Sequence, residues 1–237
     1  MTFRAEDRKF TKEGYKALLA EFESLSDEKY KKFNEALIPG TKTSYGVRVP
    51  QIRAIAKEIT RTDPFGFLRV CKDSSFEEIQ LHGLVIAYIK MPLVEKIPLM
   101  VEFVPLIDNW AICDTCSFKV KDSERAVLWD FLQDYFTSDR TYFIRYAVVT
   151  GMSNFVNDQY IDSFLARLSE IVHDDYYVKM AVAWALCDCF IKQRVKTNEL
   201  LSAKKLDAWT QNKAIQKCRE SFRVSDYDKE YLVTLKL

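Results

Sequence analysis

The sequence predicts an all-α chain built as a solenoid of stacked helical hairpins, and three observations predict it. Only 6 Gly and 6 Pro occur in 237 residues, so few positions interrupt a helix. Apolar residues recur at spacings of three and four almost throughout, the period of a helix that buries one face. Three segments also share one apolar, polar, then mixed-small pattern: Ile79-Gln80-Leu81-His82-Gly83-Leu84-Val85, Ile144-Arg145-Tyr146-Ala147-Val148-Val149-Thr150 and Val178-Lys179-Met180-Ala181-Val182-Ala183-Trp184. Their starts lie 65 and then 34 positions apart, with a further helix in the middle of the longer gap. One helical pair therefore occupies roughly 30 to 35 residues, near tetratricopeptide length but without that repeat's signature. A right-handed HEAT-like helical-repeat solenoid (an α-α superhelix) is expected, its repeated second helices lining a concave groove.

In chain order, helices are expected over 11–24, 27–37 and 50–60, where Pro50 suits a first helical position because its missing N–H is not needed there. Segments 64–72 and 76–90 follow, with Ser74 as a candidate N-cap of the second. Beyond them come 94–106 and 109–120, then 123–136 capped by Ser123, 141–155, and 158–172 capped by Asp158. The last three are 175–192, 197–203 and 207–222. Since no Pro-, Gly- or Ser-rich linker interrupts this series, residues 1–237 are expected to form a single HEAT-like helical-repeat domain.

Composition narrows the classes of function. A hydrophobic content of 48% over this length suffices for a large core. Lys and Arg (35) nearly balance Asp and Glu (34), so a nucleic acid would have to meet a local basic surface. No run approaches the roughly 18 apolar residues of a membrane span. Met1-Thr2-Phe3-Arg4-Ala5-Glu6-Asp7-Arg8-Lys9 lacks a signal-peptide apolar core, so a cytoplasmic monomer with no membrane partner is expected. The six cysteines, Cys71, Cys113, Cys116, Cys187, Cys189 and Cys218, suit reduced thiols. Cys113-x-x-Cys116 has no second pair, and His82 and His173 are the only histidines, so neither a metal nor another cofactor is expected. With no phosphate-binding glycine loop and no nucleophile elbow, small-molecule enzymes are disfavoured.

Within Asp108-Asn109-Trp110-Ala111-Ile112-Cys113-Asp114-Thr115-Cys116, Trp110 and Asp114 stand four residues apart, so a helix stacks them on one side. On a helical wheel Ile112, Cys113, Cys116 and Val120 gather on one face, and Trp110, Asp114, Ser117 and Lys121 on the roughly opposite one. An indole away from the apolar stripe is poor core filling. Beside a carboxylate it stabilises a cation twice, through its ring face and through the acid's charge. Cleaving the glycosidic bond of an N3- or N7-alkylated purine fits, because the base is cationic and bond breaking moves positive charge onto the sugar. Asp114 would stabilise that sugar while orienting or deprotonating a water. The bland alternatives are a packing role between repeats for Trp110 and, for Asp114, a solvated position or an ion pair with Lys119 or Lys121.

Aligning the three repeated segments puts Gln80, Arg145 and Lys179 in one column of hydrogen-bond donors, suited either to a phosphate backbone along the groove or to plain solvation. Arg48 and Arg53 flank the start of the helix at Pro50, where free N–H groups and the helix dipole favour a phosphate. Surface salt bridges, for example with Glu58, are the competing account. Trp184 has Tyr177, Met180, Ile191 and Asp188 as wheel neighbours, which leaves a core position open to it. Trp129 and Trp209 lie on strongly amphipathic outer helices and read as core.

These passages together resemble the AlkD-type DNA alkylation repair glycosylases of bacteria, a family of HEAT-like solenoids. Tyr45-Gly46-Val47-Arg48-Val49-Pro50-Gln51-Ile52-Arg53 is similar to the family's early Gly-hydrophobic-x-x-Pro-x-x-Arg segment, and Trp110 to Asp114 to its Trp-x-x-x-Asp catalytic helix. Phe143-Ile144-Arg145 followed by Trp184 is similar to its later markers, and the likeness covers most of positions 11–222. The resemblance implies that Asp114 is the catalytic carboxylate, that Trp110 and Trp184 wall the damaged nucleotide's sugar, and that Arg145 holds a nearby phosphate. It further implies a monofunctional glycosylase of base excision repair, acting on double-stranded DNA with alkylated bases without drawing the lesion into a deep pocket. Two positions depart from the pattern. Met180 stands where the family often has lysine, with Lys179 beside it, and an early aromatic has only Phe33 or Leu37 as nearest counterpart. Two other classes stay open: a catalytically silent DNA-binding solenoid for distorted or branched DNA, and a protein–protein scaffold.

Overall fold

The computed structural model describes residues 10–40 and 43–237, so the reading of Met1–Lys9 concerns residues outside the described ones. Among the described residues the regular structure is all helical, fourteen α-helices with short 3-10 turns at Val104–Leu106 and Asp122–Glu124. No helix among them is long and apolar enough to cross a membrane. The chain divides into two compact units, Met1–Cys116 and Ser117–Leu237.

The first unit holds α1 (Lys12–Ser24), α2 (Glu28–Leu37), α3 (Val49–Thr62), α4 (Pro64–Val70), α5 (Phe76–Tyr88), α6 (Leu93–Phe103) and α7 (Trp110–Cys116). Helix α5 packs on α3, α6 and α7, and nearly every residue from Phe76 to Ile86 is buried. Polar residues turn inward there along with apolar ones, Glu77, Glu78 and Gln80 among them. Gly83 lets α7 sit close. A Cβ there would lie 2.3 Å from the Phe103 ring and 2.5 Å from Cys116 Sγ, so any larger residue would push the neighbours away.

The second unit holds α8 (Arg125–Phe136), α9 (Thr141–Asn154), α10 (Ile161–Glu170), α11 (Tyr176–Lys192), α12 (Arg194–Ala203), α13 (Ala208–Glu220) and α14 (Asp226–Val233). Here α11 is the central helix, packed between α9 and α13, with α10 and α12 as the outer members of the hairpins. The repeat length read from sequence reappears in the hydrogen bonds. Val120–Asn154, Gln133–Arg167, Asp139–His173, Asp162–Lys196 and Arg194–Asp228 each join residues 34 apart. One hairpin is thus bonded to the next at equivalent positions, the HEAT-like arrangement of stacked helical pairs.

Several boundaries differ from expectation for local reasons. Helix α7 stops at Cys116 instead of 120, because Asn154 draws the following loop onto α9: its Oδ1 accepts from Val120 N at 2.9 Å and its Nδ2 donates to Phe118 O at 2.9 Å. Ser75, not Ser74, caps α5 by accepting from Glu78 N. Ser123 lies inside the 3-10 turn that precedes α8, and α10 starts only at Ile161 while Asp158 accepts from Gln193 Nε2 at 2.8 Å. Helix α14, which the sequence did not announce, is capped by Ser225 and buries Leu232.

Candidate active site

Trp110 opens α7, a helix of 7 residues that is too short to persist alone. Three ties hold it. Asn109, itself buried, accepts from Ile112 N at 3.0 Å through its side-chain oxygen, an N-cap hydrogen bond. Ile112, Cys113 and Cys116 face inward against α5, where Cys116 Sγ donates to the Gln80 carbonyl at 3.5 Å. The Trp110 indole N–H donates to the carbonyl of Leu37, the last residue of α2, at 3.2 Å. That bond satisfies a helix-end acceptor and fixes the ring plane. Trp110 and Asp114 are both half-buried, on the side of α7 away from the buried residues. The Cys113-x-x-Cys116 pair is core packing, and none of the six cysteines forms a disulfide.

The segment before α3 is held from beneath by a residue that sequence reasoning passed over. Glu77, fully buried in the first turn of α5, accepts from Ser44 Oγ at 2.8 Å and from the backbone N–H groups of Tyr45, Gly46 and Val47 at 2.9, 2.7 and 3.1 Å. Four donors on one carboxylate offset the cost of burying its charge. Gly46 has φ +83°, and a Cβ there would stand 2.7 Å from Lys31 Cβ, so the bend requires glycine. The clamp sets Arg48 at the N-cap of α3, with Pro50 in the first turn.

The basic candidates are placed as follows. Arg48 is exposed and pairs with Asp27 at 2.8 Å, not with Glu58, its guanidinium 4.9 Å from the centre of the Tyr30 ring. The Tyr30 backbone N–H, and after it Arg48, hold the half-buried Asp27 carboxyl below its ordinary range. Arg53 is half-buried and donates to the Tyr88 hydroxyl at 2.6 Å. Lys179 lies between Asp174 and Asp207, 3.7 and 3.8 Å away.

The donor column does not form a surface row. Gln80 is 0% exposed, because α5 is covered on every side, and its Oε1 and Nε2 have no hydrogen-bond partner among the described residues. Its expected contact with a phosphate is therefore withdrawn. Arg145 is 4% exposed, since α9 packs against both α8 and α11, and its Nη1 donates to Tyr177 O at 2.8 Å. It is a buried cation at the start of α11 and not a donor on a helix edge.

Trp184 is 39% exposed, which removes the core alternative. Its wheel neighbours Tyr177, Met180, Asp188 and Ile191 are all half-buried while the rest of the middle of α11 is buried, so they mark the open face of that helix. Trp209 is also corrected: expected in the core, it is 37% exposed at the start of α13, edge-on to Tyr176 with 5.8 Å between ring centres. Trp129 packs among Phe136, Phe155 and Tyr160. One signal in the sequence was available and unused: Trp110-Ala111-Ile112-Cys113-Asp114 and Trp184-Ala185-Leu186-Cys187-Asp188 are near-identical pentapeptides.

The family model described as DNA alkylation repair enzyme matches residues 18–218. No curated protein and no solved structure matches at a significant level.

Proposed function

Since this chain belongs to the DNA alkylation repair enzyme family, we propose that it is a monofunctional DNA glycosylase that hydrolyses the N-glycosidic bond of N3- or N7-alkylated purines in double-stranded DNA. The observation that carries this reading is the seating of Trp110, whose indole is fixed by its bond to Leu37 O one helical turn from Asp114, on the side of α7 turned away from the core.

Alkylation at N3 or N7 makes the purine a cation, so the C1′–N bond breaks with the electron pair leaving on a neutral base, and little general acid is needed. Positive charge then passes to the sugar. The Trp110 ring face and the Asp114 carboxylate stabilise it in the transition state more than in the ground state, which is the condition for acceleration. A water adds to C1′ and gives its proton to Asp114 or to solvent, leaving free base and an abasic site. In the second unit, Trp184 offers a ring for a deoxyribose and Lys179 a cation for a phosphate. Arg145 supplies a fixed positive charge beneath the start of α11. Arg48 can exchange Asp27 for a phosphate, because an exposed ion pair is worth only about 0–1 kcal/mol, and Arg53 positions α3 through Tyr88.

The test is base release from duplex DNA carrying a defined N7-methylguanine or N3-methyladenine. Wild type should release the methylated base, and Asp114→Asn should do so about 10²–10³-fold more slowly, the range for losing one preorganised electrostatic group. Salt-dependent binding without base release by wild type would overturn the enzymatic reading and leave a DNA-binding protein.

A further inference from the structure

Away from Trp110 and Asp114, the turn between α4 and α5 gathers three side chains of metal-binding type. Cys71 follows the last residue of α4, Asp73 sits in the turn, and His82 projects from α5. Their ligand atoms all lie within 4.8 Å of one another, and all three residues are half-buried. His82 Nδ1 is the hub, 3.0 Å from Asp73 Oδ1 and 3.6 Å from Cys71 Sγ. The Cys71 thiol donates to Leu68 O at 3.5 Å, which leaves the Nδ1 proton to Asp73. A cation replacing those two protons would bind all three side chains.

We propose that Cys71, Asp73 and His82 bind a zinc(II) ion through Sγ, Oδ1 and Nδ1, with a water as fourth ligand. The distances suit this. Zn–S and Zn–N bonds of about 2.3 and 2.0 Å at a tetrahedral angle set sulfur and nitrogen roughly 3.5 Å apart, against 3.6 Å observed. The charges suit it too, because a thiolate and a carboxylate neutralise a divalent ion. The softness of sulfur with an imidazole favours zinc over magnesium or calcium. Binding releases the thiol proton to solvent and leaves the imidazole proton on Nε2, while the carboxylate binds as it stands.

The turn is built to hold this geometry. Asp73 has φ +51°, a left-handed conformation that a side chain other than glycine adopts at some cost. Lys72 N donates to the Tyr15 hydroxyl at 3.0 Å, and that hydroxyl donates to Glu78 of α5. Phe76 N donates to Thr43 O at 3.0 Å, and Ser75 caps α5. The turn is therefore fixed at both ends, and a bound ion would cross-link it to the middle of α5. The His82 ring is backed by Phe103, with ring centres 5.3 Å apart.

The experiment uses the full chain freed of metal by dialysis against a chelator, then titrated with cobalt(II) and followed by absorption. Wild type should take up one equivalent, with a thiolate-to-cobalt charge-transfer band and tetrahedral d–d bands that zinc(II) abolishes by displacement. Cys71→Ser should lose the charge-transfer band, Asp73→Asn should bind at least tenfold more weakly, and His173→Asn, in the second unit, should match wild type. Zinc should raise the thermal midpoint of wild type and leave that of Cys71→Ser unchanged. No band from wild type, or the same band from Cys71→Ser, overturns the proposal. If Cys71→Ser does not fold by far-UV circular dichroism, Asp73→Asn and His82→Gln decide, and wild-type spectra from both overturn it.

Discussion

The pentapeptide Trp-Ala-Ile/Leu-Cys-Asp occurs once in each unit, at the head of the 7-residue α7 and in the middle of the 17-residue α11. Both copies split the same way, with the intervening Ile112 and Cys113, or Leu186 and Cys187, buried and the tryptophan on the more open face. Their supports differ. Helix α11 holds Trp184 by its own backbone ladder between α9 and α13, whereas α7 depends on a buried cap, a close glycine and a side-chain hydrogen bond to α2. Asp188 is paired with Lys192 at 2.5 Å and with Arg223 at 3.6 Å.

The largest effect should separate the two acids. Asp114→Asn is expected to slow release of N7-methylguanine by about 10²–10³-fold, and Asp188→Asn to slow it by less than about threefold, because the ring beside Asp114 is fixed beforehand by its bond to Leu37 O. Equal losses, measured as single-turnover base release, would erase the distinction between the copies. Next in size is Gly83→Ala. The added methyl would meet both Phe103 and Cys116, so a stability loss of about 1–3 kcal/mol is expected by urea denaturation. Base release should fall with it, since α7 would be displaced along with Trp110.

Much of the fold is legible in the sequence. The helical period placed thirteen segments, and the repeat length near 34 residues matches the bonds that link successive hairpins of the second unit. The wheel around Trp110 sorted buried from open positions in α7 correctly. What could not be read was which polar side chains turn inward. Glu77 looks like an ordinary acid favouring a helix N-terminus, and only the fold of 44–47 around it reveals a buried clamp. Gln80 and Arg145 occupy the right column of the repeat, but α5 and α9 are covered by neighbours whose order in space no wheel contains. Cys71, Asp73 and His82 converge through a left-handed turn, which spacing does not encode.

A smaller effect contrasts the two rings. Trp110→Phe keeps an aromatic face but deletes the bond to Leu37 O, which should cost about 1 kcal/mol of stability and lower base release further by loosening the ring. Trp184→Phe, on an exposed face, should change stability by less than about 0.5 kcal/mol. Thermal or urea unfolding of the two variants side by side reads the difference. If Trp184→Phe proved the more destabilising, the short helix would not be the one that relies on its tryptophan.

The smallest expected change is also the strictest check on what sets the copies apart. Removing both partners of Asp188, as Lys192→Ala with Arg223→Ala, should alter stability by less than about 1 kcal/mol, because both cations are more than 40% exposed. In the Asp114→Asn background those two changes release the Asp188 carboxylate from its ion pairs, one turn from an exposed tryptophan. Base release should nevertheless stay at the Asp114→Asn level. An acid and a ring accelerate bond breaking only when both are held in place beforehand, and in this chain the indole with a hydrogen bond to a neighbouring helix end is Trp110. Recovery of base release in the triple variant would show that its ion pairs alone keep Asp188 from the chemistry, and that the anchoring of α7 contributes nothing to it.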